Sequence, residues 1–273
     1  MTQLLKCVTL SLVLVAGIVS AQERTITLAS TTSTEQSGFF AQVLPKFKAQ
    51  TGIEVRVIAV GTGQAFDIAR RGDADALLVH DRRGEDAFVE EGFGLERRDV
   101  MYNDFVIVGP STDPAGVAAT GTVVEAFARI ARSESIFTSR GDDSGTHRAE
   151  LRHWREAGVE VGRTRWYREL GAGMGPTLNT SADLGAYTLS DRASWASFRN
   201  RRGLVVLLQG DPALLNPYGS LLVDPARHPH LKHRLARTWH DWLVSEAGQR
   251  AIAAFRIDDE RVFLPAAAVA THD

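Results

Sequence analysis

Three times along this chain a β-rich run breaks into small hydroxyl or glycine residues and then at once into a helix. Residues 25–29 (Thr-Ile-Thr-Leu-Ala) alternate and lead into Ser30-Thr31-Thr32-Ser33-Thr34. After them Phe39, Phe40, Val43, Leu44 and Phe47 recur at helical spacing up to a stop at Thr51-Gly52. A second β-branched run, 54–60, ends in Gly61-Thr62-Gly63-Gln64 ahead of a helix over 65–71. A third, closing on Ile136-Phe137, precedes Thr138-Ser139-Arg140-Gly141-Asp142-Asp143-Ser144-Gly145-Thr146-His147 and a helix with Leu151 and Trp154 turned inward. Strands alternating with helices in this way predict an α/β architecture with helices on both faces of the sheet. Ligands of such sheets bind beyond the carboxyl ends of strands, where all three turns fall.

The third turn has the chemistry of an anion site. Ser144 is placed to cap the helix, which leaves the amides of Gly145 and Thr146 in a first turn without helical partners. Arg140 adds a planar fork of donors four residues upstream. Many donors, no acceptors and a helix N-terminus together suit a tetrahedral oxyanion. The five successive hydroxyls after the first strand exceed what one cap consumes, so Thr31, Thr32 and Ser33 are also candidate ligand contacts. Thr62 in the second turn joins them. The candidate set is Thr31, Thr32, Ser33, Thr62, Arg140, Ser144, Gly145 and Thr146. The plainer alternative is a set of ordinary helix caps beside a solvated arginine. The chain has no G-K-[ST] phosphate loop, dinucleotide fingerprint or G-x-S-x-G elbow. A secreted hydrolase using Ser144 with His147 or His80 is therefore a remote alternative, and no catalytic residue is assigned.

The remaining pattern continues the alternation. Residues 75–80 read as a short buried strand with a structural His80 at its end. Residues 100–110 read as a long strand closed by Gly-Pro, able to cross between lobes. A helix is expected over 122–132. A Gly-rich turn over 171–178 places Met174 near the cleft. Residues 185–189 are strand-like, with a helix starting at Ser190-Asp191, and 204–208 form a strand. Asn216-Pro217-Tyr218-Gly219 should break the chain, and helices follow over 231–244 and 247–255.

Residues 1–21 have the form of a cleaved leader: Lys6, an apolar run over 8–19, and Val19-Ser20-Ala21 before Gln22. The single cysteine, Cys7, falls within it, so a mature chain has no thiol and no disulfide. Of 31 basic and 33 acidic residues only Lys6 lies in the leader, which leaves the mature chain three net negative. That balance speaks against nucleic acid or an anionic membrane as partner.

Taken together, several of these stretches resemble one family in matching order along nearly the whole mature chain. They are Thr31-Thr32-Ser33, Val60-Gly61-Thr62-Gly63-Gln64-Ala65, Leu77-Leu78-Val79-His80, the run 97–110, Ser139 to His147, Gly173-Met174-Gly175, the run 185–192 and Asn216-Pro217-Tyr218-Gly219. The family is the periplasmic tungstate-binding proteins of tungstate ABC importers. The resemblance implies a two-lobed type II periplasmic-binding-protein fold, with hinge strands between the lobes and the ligand in the interlobe cleft. It implies lobe I over 22–106 and 216–273 and lobe II over 107–215. It implies tungstate as ligand, with molybdate as a weaker one, no cofactor, no catalysis, a monomer, and delivery to an inner-membrane ABC permease. Thr32 and Ser33 would belong to the first hydroxyl contact, Arg140 and Thr146 to the second. Phosphate-binding relatives share the Arg-x3-Ser-Gly-Thr spacing that Arg140 and Ser144-Gly145-Thr146 match. They carry an Asp near the end of the third strand to accept the phosphate proton. Here His80 stands there, followed by Asp81, which keeps a phosphate or sulfate receptor as the alternative of the same fold.

Overall fold

The structure, a computed structural model, describes residues 24–162 and 164–266, so the expected leader lies outside the described residues. The chain opens with β1 (Thr25–Thr31), α1 (Thr32–Gln36), α2 (Phe39–Thr51), β2 (Glu54–Val60), α3 (Thr62–Arg70), β3 (Ala76–Val79), α4 (Arg82–Glu90) and β4 (Gly94–Pro110). A second group follows: α5 (Val123–Arg132), β5 (Phe137–Ser139), α6 (Gly145–Glu156), β6 (Tyr167–Glu169), α7 (Met174–Leu184), β7 (Thr188–Asp191), α8 (Arg192–Ser197) and β8 (Leu204–Leu208). The chain then returns with β9 (Leu215–Val223), α9 (His233–Val244), α10 (Glu246–Ala253) and β10 (Leu264–Pro265).

β1 pairs in parallel with β2, from Thr25 opposite Glu54 to Thr31 opposite Val60, and with β3 on its other side. β9 runs antiparallel between β3 and β4. The 17-residue β4 changes partners partway along. Up to Asp104 it pairs with β9, whereas Phe105 to Pro110 pair with β7 and β8. One strand therefore serves two sheets and carries the chain from the first lobe to the second.

Alternation along the strands explains why each lobe has two cores. Ile26 and Leu28 of β1, Ala76 and Leu78 of β3 and Tyr218 and Leu222 of β9 point to one face and pack with Phe39, Phe47, Trp239 and Phe263. Ala29, Leu77, Val79, Leu221 and Val223, at the intervening positions, point to the other and meet Phe66 and Phe88. In the second lobe Phe105 and Ile107 join Phe127, Phe137 and Trp154, while Val106 and Val108 join Met174, Leu178 and Leu204.

Three expectations need correcting. Asn216-Pro217-Tyr218-Gly219 does not break the chain but lies inside β9. Pro217 is tolerated there because β3 pairs only from Gly219 onward, so no strand on that side asks for its missing N–H. Leu151 is only half-buried, and His153 takes the inward position beside Trp154. β7 continues through Asp191, which caps the short helix α8.

Candidate functional site

The turn after β1 is a hydroxyl ladder. Ser30 donates to the Leu78 carbonyl at 2.6 Å and is spent on holding β1 to β3. Thr31 caps α1 by accepting from the Thr34 amide, and its Oγ1 lies 2.7 Å from Thr34 Oγ1 and 3.2 Å from Ser33 Oγ. Thr31 and Ser33 are buried, and Thr32 is half-buried.

The turn before α6 builds a donor fork. Gly141, at φ 60°, reverses the chain against Glu169. Asp142 can then fold back onto Arg140, taking Nε at 3.1 Å and Nη2 at 2.6 Å. That pair fixes the guanidinium plane of a residue only 3% exposed and leaves the remaining Nη1 edge unconstrained by Asp142. Ser144 is the expected cap, accepting from the His147 amide at 3.2 Å. Thr146 Oγ1 is buried and has no hydrogen-bond partner. Burying a hydroxyl unpaired costs free energy, which makes this one a candidate ligand contact.

The turn after β2 meets that turn directly. The Gly145 amide donates to Thr62 Oγ1 at 2.8 Å. Gly145 is therefore not a free amide, while the Thr62 hydroxyl hydrogen stays available to a further acceptor. A Cβ at Gly145 would lie 3.0 Å from His80 Cε1 and 3.2 Å from the His80 carbonyl, so a larger residue there would have to push its neighbours aside. Met174, expected near the cleft, is buried in the second lobe's core.

His80 ties the site to the crossing strands. Its Nε2 lies 3.3 Å from Ser33 Oγ, its Nδ1 lies 3.1 Å from Asn216 Oδ1, and Asn216 donates to Asn103 Oδ1 at 2.7 Å. The ring stacks on Tyr218 with centroids 4.7 Å apart. Burial holds His80 below the ordinary histidine range, opposed by the nearby charge of Asp191. The chain Ser33–His80–Asn216 has the connectivity of a nucleophile, a base and an orienting group. Ser144 has no such arrangement: it caps α6, and His147 Nδ1 accepts from the Asp143 amide.

Asp81 closes the seam from outside. Its carboxylate takes Arg148 Nη1 at 2.9 Å and Arg152 Nη1 at 3.5 Å, both from α6 of the opposite lobe. Arg148 also grips Asp143. Behind Asp81, Glu85 accepts the Asp81 amide and pairs with Arg97 at 2.6 Å, and burial pushes its carboxyl up to about 7. The pairs across the seam were not visible in the sequence, because Arg148 and Arg152 are 67 and 71 residues from Asp81. Asp191 was missed as well. Its Oδ1 accepts the Ser194 amide, and its Oδ2 is buried without a partner. Among the described residues no cluster of His, Cys, Asp and Glu suits a metal ion, and no helix is long and apolar enough to cross a membrane.

Two α/β lobes joined by crossing strands, with helix starts from both facing one polar seam, define a binding protein of the hinged, two-lobed kind. The comparisons agree. Residues 19–247 match the model of the PBP superfamily domain, and the chain belongs to that superfamily. It is 41% identical over 232 residues to the tungstate-binding protein TupA of Peptoclostridium acidaminophilum, covering 84% of this chain and 81% of that protein. It also resembles the solved structure of the tungstate ABC transporter from Geobacter sulfurreducens, at 45% identity and a TM-score of 0.78 over 85% of this chain and 99% of that one. TupA from Desulfovibrio alaskensis G20 gives 41% identity and a TM-score of 0.77 over 89% of this chain and 99% of that one.

Proposed function

We propose that the seam binds a tetrahedral oxodianion, tungstate with molybdate as a weaker ligand, and that the protein delivers it to an ABC permease. The observation carrying this reading is the buried, unpartnered hydroxyl of Thr146 in the same turn as the Asp142-braced fork of Arg140. Ser33 reaches His80 and Thr62 reaches the Gly145 amide at the start of α6, whose cap is Ser144, and the reading adds Thr31 and Thr32 of the same first-lobe turn as further contacts. Removing a dianion from water costs several kcal/mol even after relaxation. Hydrogen bonds to a charged acceptor return about 1.5–3 kcal/mol each, so a handful offsets it. The likeness to tungstate-binding proteins of the same fold supports tungstate as the ion.

The lobes of this reading are 22–106 with 216–273, and 107–215, although β4 already changes partners between Asp104 and Phe105, two residues before that boundary. The reading includes export by the leader at 1–21, work outside the cytoplasm as a monomer, and no catalysis and no cofactor. Asp81, the carboxylate best placed in sequence to accept a proton from phosphate, is instead held by Arg148 and Arg152. A second reading, hydrogen phosphate, has one observation in its favour: the unpartnered Asp191 Oδ2 could accept a ligand proton. Calorimetric titration with tungstate, molybdate, sulfate and phosphate separates the two. Tungstate binding tightest supports the proposal, and phosphate binding tightest overturns it. A fluorophosphonate probe tests catalysis, and labelling at Ser33 or Ser144 would overturn the receptor reading.

A further inference from the structure

The polar chain behind Ser33 runs from Asn103 through Asn216 to His80, and Asn103 Nδ2 at its far end is buried without a partner. Asn216 uses its Nδ2 hydrogen on Asn103 Oδ1, so its Oδ1 faces His80. His80 Nδ1 must then carry the hydrogen of that contact. In a neutral ring Nε2 is left as an acceptor, and the group beside it is the Ser33 hydroxyl, 3.3 Å away. Ser33 has one proton. With a neutral ring and no ligand, that proton goes to His80, and Thr31 Oγ1, 3.2 Å away, is then the donor to Ser33 Oγ.

An oxodianion presents only acceptors. When it arrives, Ser33 can give its proton either to the ion or to His80, and one acceptor goes without. A proton added at Nε2 removes the conflict: Nε2–H donates to Ser33 Oγ, and Ser33 donates to the ion. We infer that oxodianion binding at this seam is coupled to uptake of one proton by His80, which then works as a positioning residue that turns Ser33 into a committed donor. The inference rests on the receptor reading given above.

Burial opposes a charged His80 ring; of the charges facing it, Asp191 and Asp81 favour one and Arg140 opposes it. From the β7–α8 turn comes Asp191, whose Oδ2 is buried and unpartnered; from its own turn comes Asp81, already engaged by Arg148 and Arg152; from the β5–α6 turn comes Arg140, braced by Asp142. Tyr218, stacked on the ring, is held in its neutral phenol form by burial. Two carboxylates and one guanidinium become, with a dianion present, a surplus of negative charge around a buried imidazole. A cation there is then favoured.

The test is calorimetry of tungstate binding at pH 7.5 in three buffers of different ionisation enthalpy. The observed heat should vary with buffer enthalpy, with a slope of about one proton taken up per ion bound. Tungstate itself carries no proton at this pH, so the proton belongs to the protein. His80→Gln, whose amide donates to Ser33 permanently, should still bind and show a slope near zero. His147→Gln, removing the imidazole of the α6 turn, should keep the wild-type slope. In parallel, the His80 ring signals in a wild-type NMR titration should report the charged form in the complex and the neutral form without ligand. Strong binding with no buffer dependence overturns the inference, and so does a slope that survives in His80→Gln. Absence of heat with every oxoanion overturns the receptor reading and this inference with it.

Discussion

The Gly145 amide donates to the Thr62 hydroxyl at 2.8 Å, joining the start of α6 in one lobe to the start of α3 in the other. Both residues are completely or almost completely buried, so the bond forms only when the lobes meet. Thr62→Val keeps the shape and removes the acceptor, which leaves a buried amide unpaired at a cost of about 1–3 kcal/mol. Tungstate affinity should fall by about 10- to 100-fold, chiefly through faster release, and Thr62→Ser should restore most of it. Stopped-flow dissociation with the two variants checks this; equal release rates for wild type and Thr62→Val would refute it.

Arg140 supplies the only formal positive charge assigned to the ion itself. Its removal costs a charge-assisted contact and leaves Asp142 without a counter-ion close to a dianion. Arg140→Ala should weaken tungstate more than any single hydroxyl deletion, by about 100-fold or more. Arg140→Lys should recover little, because an ammonium cannot sit bidentate on Asp142 and still reach the ion in the same plane. Calorimetry on both variants decides it, and near-native affinity in Arg140→Ala would remove the central assignment.

Asp81, gripping Arg148 and Arg152 across the seam, acts on closure rather than on the ion. Asp81→Asn should leave Arg152 without this carboxylate and Arg148 with Asp143 alone. The ligand-free protein should then open further, seen as a larger radius of gyration in solution scattering, while the tungstate-bound form keeps its wild-type dimensions. Affinity should fall by roughly 10-fold, and the remaining affinity should depend less on salt. An unchanged ligand-free radius would count against a latch.

How much of this was legible beforehand follows from the range of each interaction. The junctions after β1, β2 and β5 are local events, in which hydroxyl-rich turns, a Ser cap and amphipathic helices announce themselves within ten residues. Ser144 capping α6 is one such feature. Ser30 could not be told from its neighbours, since its commitment to the Leu78 carbonyl depends on register with a strand 48 residues away. The same holds for Gly145, whose amide reads as free until Thr62 is brought to it. Asp191 looked like a helix start and is one; only the packing of α8 against the hinge shows that its second oxygen has no partner. Pro217 read as a chain break because the local rule against proline in a strand says nothing of where the neighbouring strand ends.

Glu150 gives the stability of the second lobe a pH dependence of predictable sign. It sits wholly buried on α6, accepting from the Tyr167 hydroxyl at 2.8 Å and from Trp154 Nε1 at 3.2 Å, and burial pushes its carboxyl up to about 8. The folded protein therefore prefers the protonated acid more than the unfolded chain does. That preference is fully present below the unfolded value near 4.5 and is lost as pH rises through about 8, where folding must either keep the proton or bury a charge. Glu150→Gln keeps an acceptor for Tyr167 and Trp154 and has nothing to ionise. It should melt closest to wild type at pH 4.5 and progressively above it towards pH 9, by an amount corresponding to a few kcal/mol at most. Thermal melts of both proteins across that range check the sign. A wild-type advantage that grows with pH would mean that Glu150 is held as a carboxylate and that its contacts stabilise the charged form.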